Sequence, residues 1–568
     1  MIRMFEQHKI RFQKNLEGYW DFQKVKIKSP VSQYDEKMFV PGCWEHAINM
    51  IDYRGYGAYR KIIAIEEPAN IRLNFKGVSH TADVYFDEKY IGHHYNAFTE
   101  FSIILPNVSA GTHEIVVIAD NTFSQDSALH IPNDYYCYGG LIKPVVMELV
   151  PNIFIDSIKF VPKLFNGIWS AEIEIGLCNI SDKSHYGKCE ISLNDEKISL
   201  GEVEIEPNSQ RKLLLSREFK DVQAWETNAP KLYLLTAVLY NSAGMPVDDL
   251  IERVGFRTVT VDGNKILLNG KPIFLKGFNR HEDFAMSGCS IPEQLAAVDI
   301  AIMKDMNANT VRTCHYPNDE RFLDMCDEQG ILVWEENHAR GLSLKRMQNP
   351  NFERQCEDCI REMINSHYNH PSIIIWGILN ECSSDTVEGR RMYERQFAQI
   401  KSMDTSRPVT FASCRHFNDI CLDLVDIVSV NIYYGWYGDE KSLEEIETSY
   451  LKELEWLGRT NGSQKPIIIS EFGAGAIYGY RSPIRQKWTE ERQTDILNAA
   501  LEVYLNRPEI SGTYIWQFAD CRVTEEEWAM NRPRTMNNKG VVDEYRRPKL
   551  AYSVVKEKYG NKSPILHK

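Results

Sequence analysis

Two glutamates occupy positions where a pair of carboxyl groups could do chemistry together. Glu381 follows the apolar run Ile373-Ile374-Ile375-Trp376-Gly377-Ile378-Leu379, and Glu471 follows Ile467-Ile468-Ile469-Ser470. Short apolar runs of this kind read as buried strands, so each carboxylate should be half-buried rather than a solvated surface charge. With two such groups in one site, one can protonate a leaving oxygen while the other attacks carbon or activates water, as cleavage of a glycosidic bond requires. The competing reading is that one or both are ion-paired structural residues. Similar runs elsewhere also end in polar and aromatic groups. Asn279-Arg280-His281-Glu282-Asp283, His315-Tyr316-Pro317 and Glu335-Glu336-Asn337-His338 each follow one. So does Asn431-Ile432-Tyr433-Tyr434-Gly435-Trp436-Tyr437, and a last run carries Trp516, Gln517 and Asp520.

The elements that must position these residues can be read from the period of the pattern. After residue 258, eight apolar runs (274–278, 310–314, 331–334, 373–379, 409–412, 427–430, 467–470 and 513–518) alternate with helical stretches such as 292–306 and 351–366. Eight buried parallel strands in about 300 residues predict a (β/α)8 TIM barrel, whose active site lies at the C-terminal strand ends. Upstream, residues 15–150 alternate with period two, as in Ile71-Arg72-Leu73-Asn74-Phe75 and Ala82-Asp83-Val84-Tyr85-Phe86. Asp87-Glu88-Lys89 reads as a turn into Tyr90-Ile91, and 114–118 as another short strand. Shorter runs at 170–177, 212–215 and 232–240 repeat the pattern on a scale that fits an immunoglobulin-like β-sandwich. The expected division is multidomain: a jelly-roll, sugar-binding-like β-sandwich over 1–152, an immunoglobulin-like β-sandwich over 153–257, and a C-terminal barrel over 258–568.

A chain of 568 residues exceeds what one hydrophobic core supports, which agrees with several domains. The net charge of −14 argues against nucleic acid or an anionic membrane as a partner. An acidic substrate would therefore need local positive charge that the whole surface lacks. No apolar run approaches the roughly 20 residues needed to span a bilayer, and the first residues lack a signal-peptide core. The 13 cysteines show no repeated spacing, and the pair Cys356 and Cys359 falls one helical turn apart without a second pair to complete a zinc site. Free thiols in a reducing, cytoplasmic setting are expected. No metal and no cofactor are expected, since hydrolysis needs only water.

The order of the three regions, Trp376-Gly377 preceding Asn380-Glu381, and Ser470-Glu471-Phe472-Gly473 together resemble glycoside hydrolase family 2. Pro41-Gly42-Cys43-Trp44, Tyr138-Gly139-Gly140-Leu141 and Val254-Gly255-Phe256-Arg257 extend the resemblance over nearly the whole chain. It implies that Glu381 is the acid/base, that Glu471 is the nucleophile, and that Asn380 bonds the sugar 2-hydroxyl. Retention of configuration then calls for carboxyl groups about 5–5.5 Å apart. It also calls for a raised pKa on Glu381 and an ionised Glu471.

Asn537-Asn538-Lys539-Gly540, ahead of Arg546-Arg547-Pro548-Lys549, resembles the Asn-x-Lys-Gly motif of the family's β-glucuronidases. There Lys539 would meet the sugar C6 carboxylate as a point charge and the Asn537 amide would donate to it. The segment from Asn431 to Tyr437 resembles the same group, with Tyr433 and Tyr437 contacting nucleophile and sugar. Asn133-Asp134-Tyr135-Tyr136 resembles its Asp-containing segment that reaches the sugar hydroxyls, while His315 and Trp516 would line the pocket. His281, Glu282 and Asp283 could bind or support. The implied reaction is hydrolysis of β-D-glucuronides through a covalent glycosyl-enzyme, in a homo-oligomer (dimer or tetramer).

Some positions depart from the pattern. Ile432 stands where many relatives carry Arg, Arg534 is misplaced for an arginine that aids carboxylate binding, and the segment 337–355 is short where some relatives carry a long loop. The last point predicts an open site tolerant of oligosaccharides or bulky leaving groups. The alternatives are a β-galacturonidase or β-galactosidase of the same fold, or a non-catalytic carbohydrate-binding protein.

Overall fold

The computed structural model describes residues 2–193, 196–437, 442–460, 464–526 and 531–561. The N-terminal sandwich packs a six-stranded antiparallel sheet on a four-stranded one. Alternation explains its core. On the strand Ala69–Phe75, Ile71, Leu73 and Phe75 are fully buried, while the residues between them are partly exposed. They meet Trp20, Phe22, Trp44, Ile115 and Val117 in one cluster. The turn after Phe86 is a two-residue hairpin: Asp87 and Glu88 both have left-handed φ (47° and 65°), and Phe86 pairs with Lys89. That geometry matches the twist of the flanking strands.

The second sandwich sets three strands (Ile153–Phe165, Ile168–Asn179, Ser209–Phe219) against four (His185–Leu193, Glu196–Ile205, Tyr233–Asn241, Pro246–Val254). Phe256 is its centre, met edge-on by Phe160, Trp169, Phe219 and Tyr233.

The third region is a closed barrel of eight parallel strands: β1 (Leu275–Asn279), β2 (Thr310–Thr313), β3 (Leu332–Glu336), β4 (Ile373–Ile378), β5 (Val409–Ser413), β6 (Val428–Asn431), β7 (Ile467–Phe472) and β8 (Ile510–Ile515). All eight expected runs are strands. The largest difference is β8, which runs from 510 to 515 where the sequence suggested 513–518. Trp516, Gln517 and Phe518 continue the apolar pattern beyond the last ladder pair, which is why the run reads too late. Leu332, Trp334, Ile375, Ala412, Ile468 and Tyr514 fill the barrel interior, joined by Trp225 from the second sandwich. Cys356 and Cys359 are buried on the helix Phe352–His367. Among the described residues no helix is long and apolar enough to cross a membrane.

The stretch 121–144, between two sandwich strands, reaches over the barrel. Tyr135, Tyr136, Cys137 and Tyr138 share an apolar cluster with Tyr316 and Cys521 from the barrel. Tyr138 donates to Asp283 at 2.9 Å, and Ala128 N donates to Gln355 at 2.9 Å. These contacts fix where Asp134 stands.

Candidate active site

A cavity of about 410 Å³ opens at the C-terminal strand ends and is lined by residues that include Asp134, Arg340, Glu381, Asn431, Tyr433, Tyr437, Glu471 and Trp516. Its position is the one a barrel of this kind uses for chemistry.

Glu471 ends β7, with its side chain 3% exposed. Arg312 donates to one of its oxygens at 2.9 Å and the Tyr433 hydroxyl to the other at 2.7 Å. Arg312 is itself fully buried on β2 and donates to Asn279 (2.8 Å), to Asn380 (2.7 Å) and to both oxygens of Glu336 (2.9 Å each). A planar fork of donors holds several acceptors at fixed angles, which lysine cannot do. The Asn380 amide nitrogen is buried and has no protein partner. Glu381 lies just past β4 with left-handed φ of 54°, two residues after Leu379 at 47°. Such backbone is costly for non-glycine residues and is kept where the surroundings impose it. Its oxygens take a 2.9 Å bond from Asn431 and an ion pair with Arg340 at 3.4 Å.

Burial and the nearby Glu381 carboxylate push Glu471 up to about 7, against the pull of Arg312 and Tyr433. A raised value on Glu471 was not foreseen from the sequence. The reason is depth: Glu381 has its side chain 17% exposed at the rim, while Glu471 is enclosed at the end of its strand. Because each charge raises the cost of the other, the proton belongs to the pair.

Beside Glu381, and bridged to it by Arg340, a second carboxylate is held by cations. Asp134 is 3.2 Å from Arg340 and 2.9 Å from Arg532. Burial opposes its ionisation, yet the two arginines and Lys539 hold it well below the usual carboxylate range. Lys539 donates to the Tyr437 hydroxyl at 2.8 Å and faces the rings of Tyr433 and Tyr437. Burial pulls its ammonium below the ordinary value. The Asn537 amide reaches the Asp134 carboxylate at 3.3 Å. The loop carrying both residues is clamped from behind. The buried Asp520–Lys549 pair (2.8 Å) ties down Gly540 N (2.8 Å) and Asn538 O (3.1 Å). A Cβ on Gly540 would meet Val542 O at 2.2 Å and Asp520 N at 2.3 Å, so only glycine closes this loop.

The structure thus brings Glu381, Glu471, Asp134, Asn431, Tyr433, Tyr437 and Trp516 to one cavity, with Asn380, Asn537 and Lys539 just behind its surface. His315 is placed differently from expectation. It stacks behind Trp516 at 5.0 Å, bonds Glu336 at 2.8 Å, and brings Nε2 within 3.9 Å of Glu471. His281 meets the edge of Trp516, while Glu282, 3.9 Å from Lys143, and Asp283, bonded by Tyr138, join barrel to sandwich. Ile432 is packed into the barrel core. Arg534 pairs with Glu544, away from the cavity. The arginines that do reach the site, Arg312, Arg340 and Arg532, were not found by sequence reasoning. Arg340 comes from the short segment after β3, and Arg312 lay inside a run read as plain strand. Arg532 stands two positions before the arginine that was weighed.

Among the described residues, two clusters could hold a metal on ligand type alone. Asp324, Asp327 and His370 are already paired with Arg3 at 2.8 Å and with one another at 2.6 Å. His281, Cys314 and His315 lie together in the buried wall behind Trp516.

Comparisons with known proteins agree with this geometry. The model of the glycosyl hydrolases family 2 TIM barrel domain matches residues 259–563, and a second family 2 model matches residues 153–257. A β-glucuronidase of Streptococcus agalactiae is 30% identical over 96% of this chain and 95% of its own. A crystal structure of a β-galacturonidase from Eisenbergiella tayi, bound to galacturonate, is 46% identical. It covers 99% of this chain and all of its own, with a TM-score of 0.93. A β-D-glucuronidase of Dictyoglomus thermophilum is 28% identical with a TM-score of 0.83, each chain covered to 98%. Matched by its barrel over more than half its length and by a relative from end to end, the chain belongs to glycoside hydrolase family 2.

Proposed function

We propose that the chain hydrolyses β-D-glucuronides with retention of configuration, Glu381 serving as acid/base and Glu471 as nucleophile. The observation that carries this reading is the paired carboxyl groups of Glu381 and Glu471 in one cavity, with the Lys539 ammonium held just behind its surface by the Tyr437 hydroxyl rather than by a carboxylate. A neutral sugar gives Lys539 nothing to pair with, whereas Arg340 and Arg532 already hold Asp134. In the first step Glu381 protonates the glycosidic oxygen while a Glu471 oxygen bonds to C1 and the aglycone leaves. In the second, the Glu381 carboxylate takes a proton from water, whose oxygen displaces Glu471. Arg312 and Tyr433 hold the attacking carboxylate in place, and the free Asn380 amide is aimed where a 2-hydroxyl would sit.

Galacturonides are a second reading, favoured by the 46% identity with the Eisenbergiella tayi enzyme. The two sugars differ only at C4, and Lys539 and Asn537 would serve either. Rates on the p-nitrophenyl β-glucuronide, β-galacturonide and β-galactoside, measured side by side, test the assignment. Faster turnover of the galacturonide would move the substrate and keep the mechanism, whereas galactoside as the best substrate would overturn the uronate reading. The first sugar released should be the β-anomer by proton NMR, and an α-anomer would refute retention.

The pH profile follows from the pair. Burial and the neighbouring Glu381 carboxylate let Glu471 keep its proton up to about 7, so the site carries that proton below this pH. The active form needs that proton, so kcat/KM should fall as pH rises through about 7. In Glu381→Gln the neighbouring charge is gone, and the group titrating on Glu471 should move down. An alkaline limb that stays in place in this variant would count against the assignment.

The short segment 337–355 supports the reading of an open mouth, which suits oligosaccharide or bulky aglycones. Thirteen unpaired cysteines suit a reducing cytoplasm. A homo-oligomer, dimer or tetramer, is the assembly we propose, and sedimentation would test it.

A further inference from the structure

We propose that Cys43 and Cys289 form an oxidation site at which a peroxide joins the two thiols into a disulfide, tying the first sandwich to the barrel. The two residues come from different domains. Cys43 precedes the short turn Trp44–His46 of the first sandwich, and Cys289 sits in the loop between β1 and the helix Glu293–Asp305. Their sulfurs are 3.5 Å apart. A disulfide needs about 2.05 Å, so closure asks for a shift of roughly 1.5 Å, within reach of a side-chain rotation. No other sequence-local feature links them, for they are 246 positions apart.

The surroundings favour this chemistry over simple packing. The Ser290 hydroxyl lies 3.7 Å from the Cys43 sulfur. Burial works against ionisation of Cys43, but the Cys289 thiol, the Ser290 hydroxyl and the backbone N–H groups of both residues hold it below the ordinary thiol value. Most buried thiols here are pushed the other way, as at Cys137 and Cys382, each raised to about 12. Cys43 is buried and Cys289 is half-buried, so the pair meets solvent on the Cys289 side. Burial pushes the Cys289 thiol up, so Cys43 is the easier of the two to ionise, and an ionisable thiol 3.5 Å from a second, resolving thiol is an arrangement that can oxidise reversibly.

The step balances. The Cys43 thiolate attacks one oxygen of hydrogen peroxide and breaks the O–O bond. This gives a sulfenic acid and hydroxide, which takes a proton to become water. The Cys289 sulfur then displaces the sulfenic hydroxyl as a second water, and its thiol proton leaves with it. Two electrons pass from the two thiols to the peroxide.

The consequence is mechanical. The same sandwich sends 121–144 over the barrel mouth, and a cross-link beside it would keep Asp134 docked. Closing so long a loop in the unfolded chain stabilises the folded one.

The test uses the whole enzyme. After treatment with hydrogen peroxide and digestion without reductant, mass spectrometry should find the peptides of Cys43 and Cys289 joined, with the loss of two hydrogens. Tm should rise by about 5 °C or more and return on adding dithiothreitol. Cys43→Ser and Cys289→Ser, made separately, should keep basal activity and lose both responses. Peroxide that leaves the two peptides unlinked, or oxidises them only to sulfinic acids, would overturn the proposal. So would a Tm rise that persists in either serine variant.

Discussion

Glu471→Gln is expected to lower kcat by at least about 10⁴-fold on any glycoside the enzyme accepts, since removal of a covalent nucleophile typically costs 10⁴–10⁶. Glutamine keeps the shape, its carbonyl oxygen still accepting from Arg312 and its amide nitrogen donating to the Tyr433 oxygen, so the loss would report chemistry rather than folding. The informative comparison is Glu381→Gln. That variant should be slowed strongly on substrates whose aglycone must be protonated to leave, a loss of about 10²–10⁴. It should be slowed far less when the aglycone is a dinitrophenolate. Added azide separates the two further. It can enter in place of water on the glycosyl-enzyme of Glu381→Gln and give a β-glycosyl azide. If the two variants respond alike to leaving group and to azide, the division of roles between the carboxylates is wrong.

Lys539→Ala should lower kcat/KM on the preferred uronide by about 30- to 3000-fold, the range for truncating one partner of a buried charged contact. Most of the loss should fall on binding, with the corresponding neutral glycoside almost unaffected. Lys539 is held ready by the Tyr437 hydroxyl and by the loop that Asp520 and Lys549 clamp. Gly540→Ala should therefore mimic part of the loss without touching any polar group, because its Cβ collides with backbone on two sides. An equal fall on uronide and neutral glycoside in Lys539→Ala would mean that the lysine supports the loop and reads no carboxylate.

Much of this site was legible because it is local in sequence. Asn380 with Glu381, Asn431 with Tyr433, and Asn537 with Lys539 each sit within three positions of one another at the end of one strand or in one loop. A strand that is buried on both faces announces itself as an apolar run, and the polar residue after it is then conspicuous. What stayed hidden is the set of long cations that reach across. Arg312 lies within β2 and so looks like a strand residue, yet it ties together Glu336, Asn279, Asn380 and Glu471 from four other strand ends. Arg340 and Arg532 belong to loops whose closure depends on the whole barrel and on the sandwich arm beside it. The same limit hid the raised pKa of Glu471. Proximity of two carboxylates was readable from strand order, but which of them is deeper is a matter of a few ångströms of packing. Boundaries drifted most at β8, where apolar residues run on past the ladder to form the pocket wall.

Asp134 and Asn537 touch although 403 positions separate them. A ribosome adding roughly 5–20 residues per second would therefore make the first roughly 20 to 80 seconds before the second. Throughout that interval the sandwich can already be folded, holding Asp134 and its arm with no barrel to cover. Glu381 and Glu471 arrive in between, and the lysine that would read the substrate's charge arrives almost last. A nascent chain would thus be unable to act on sugars until the loop of Lys539 has been made, and a chain cut short before that loop would carry its folded sandwich and both glutamates yet stay inert.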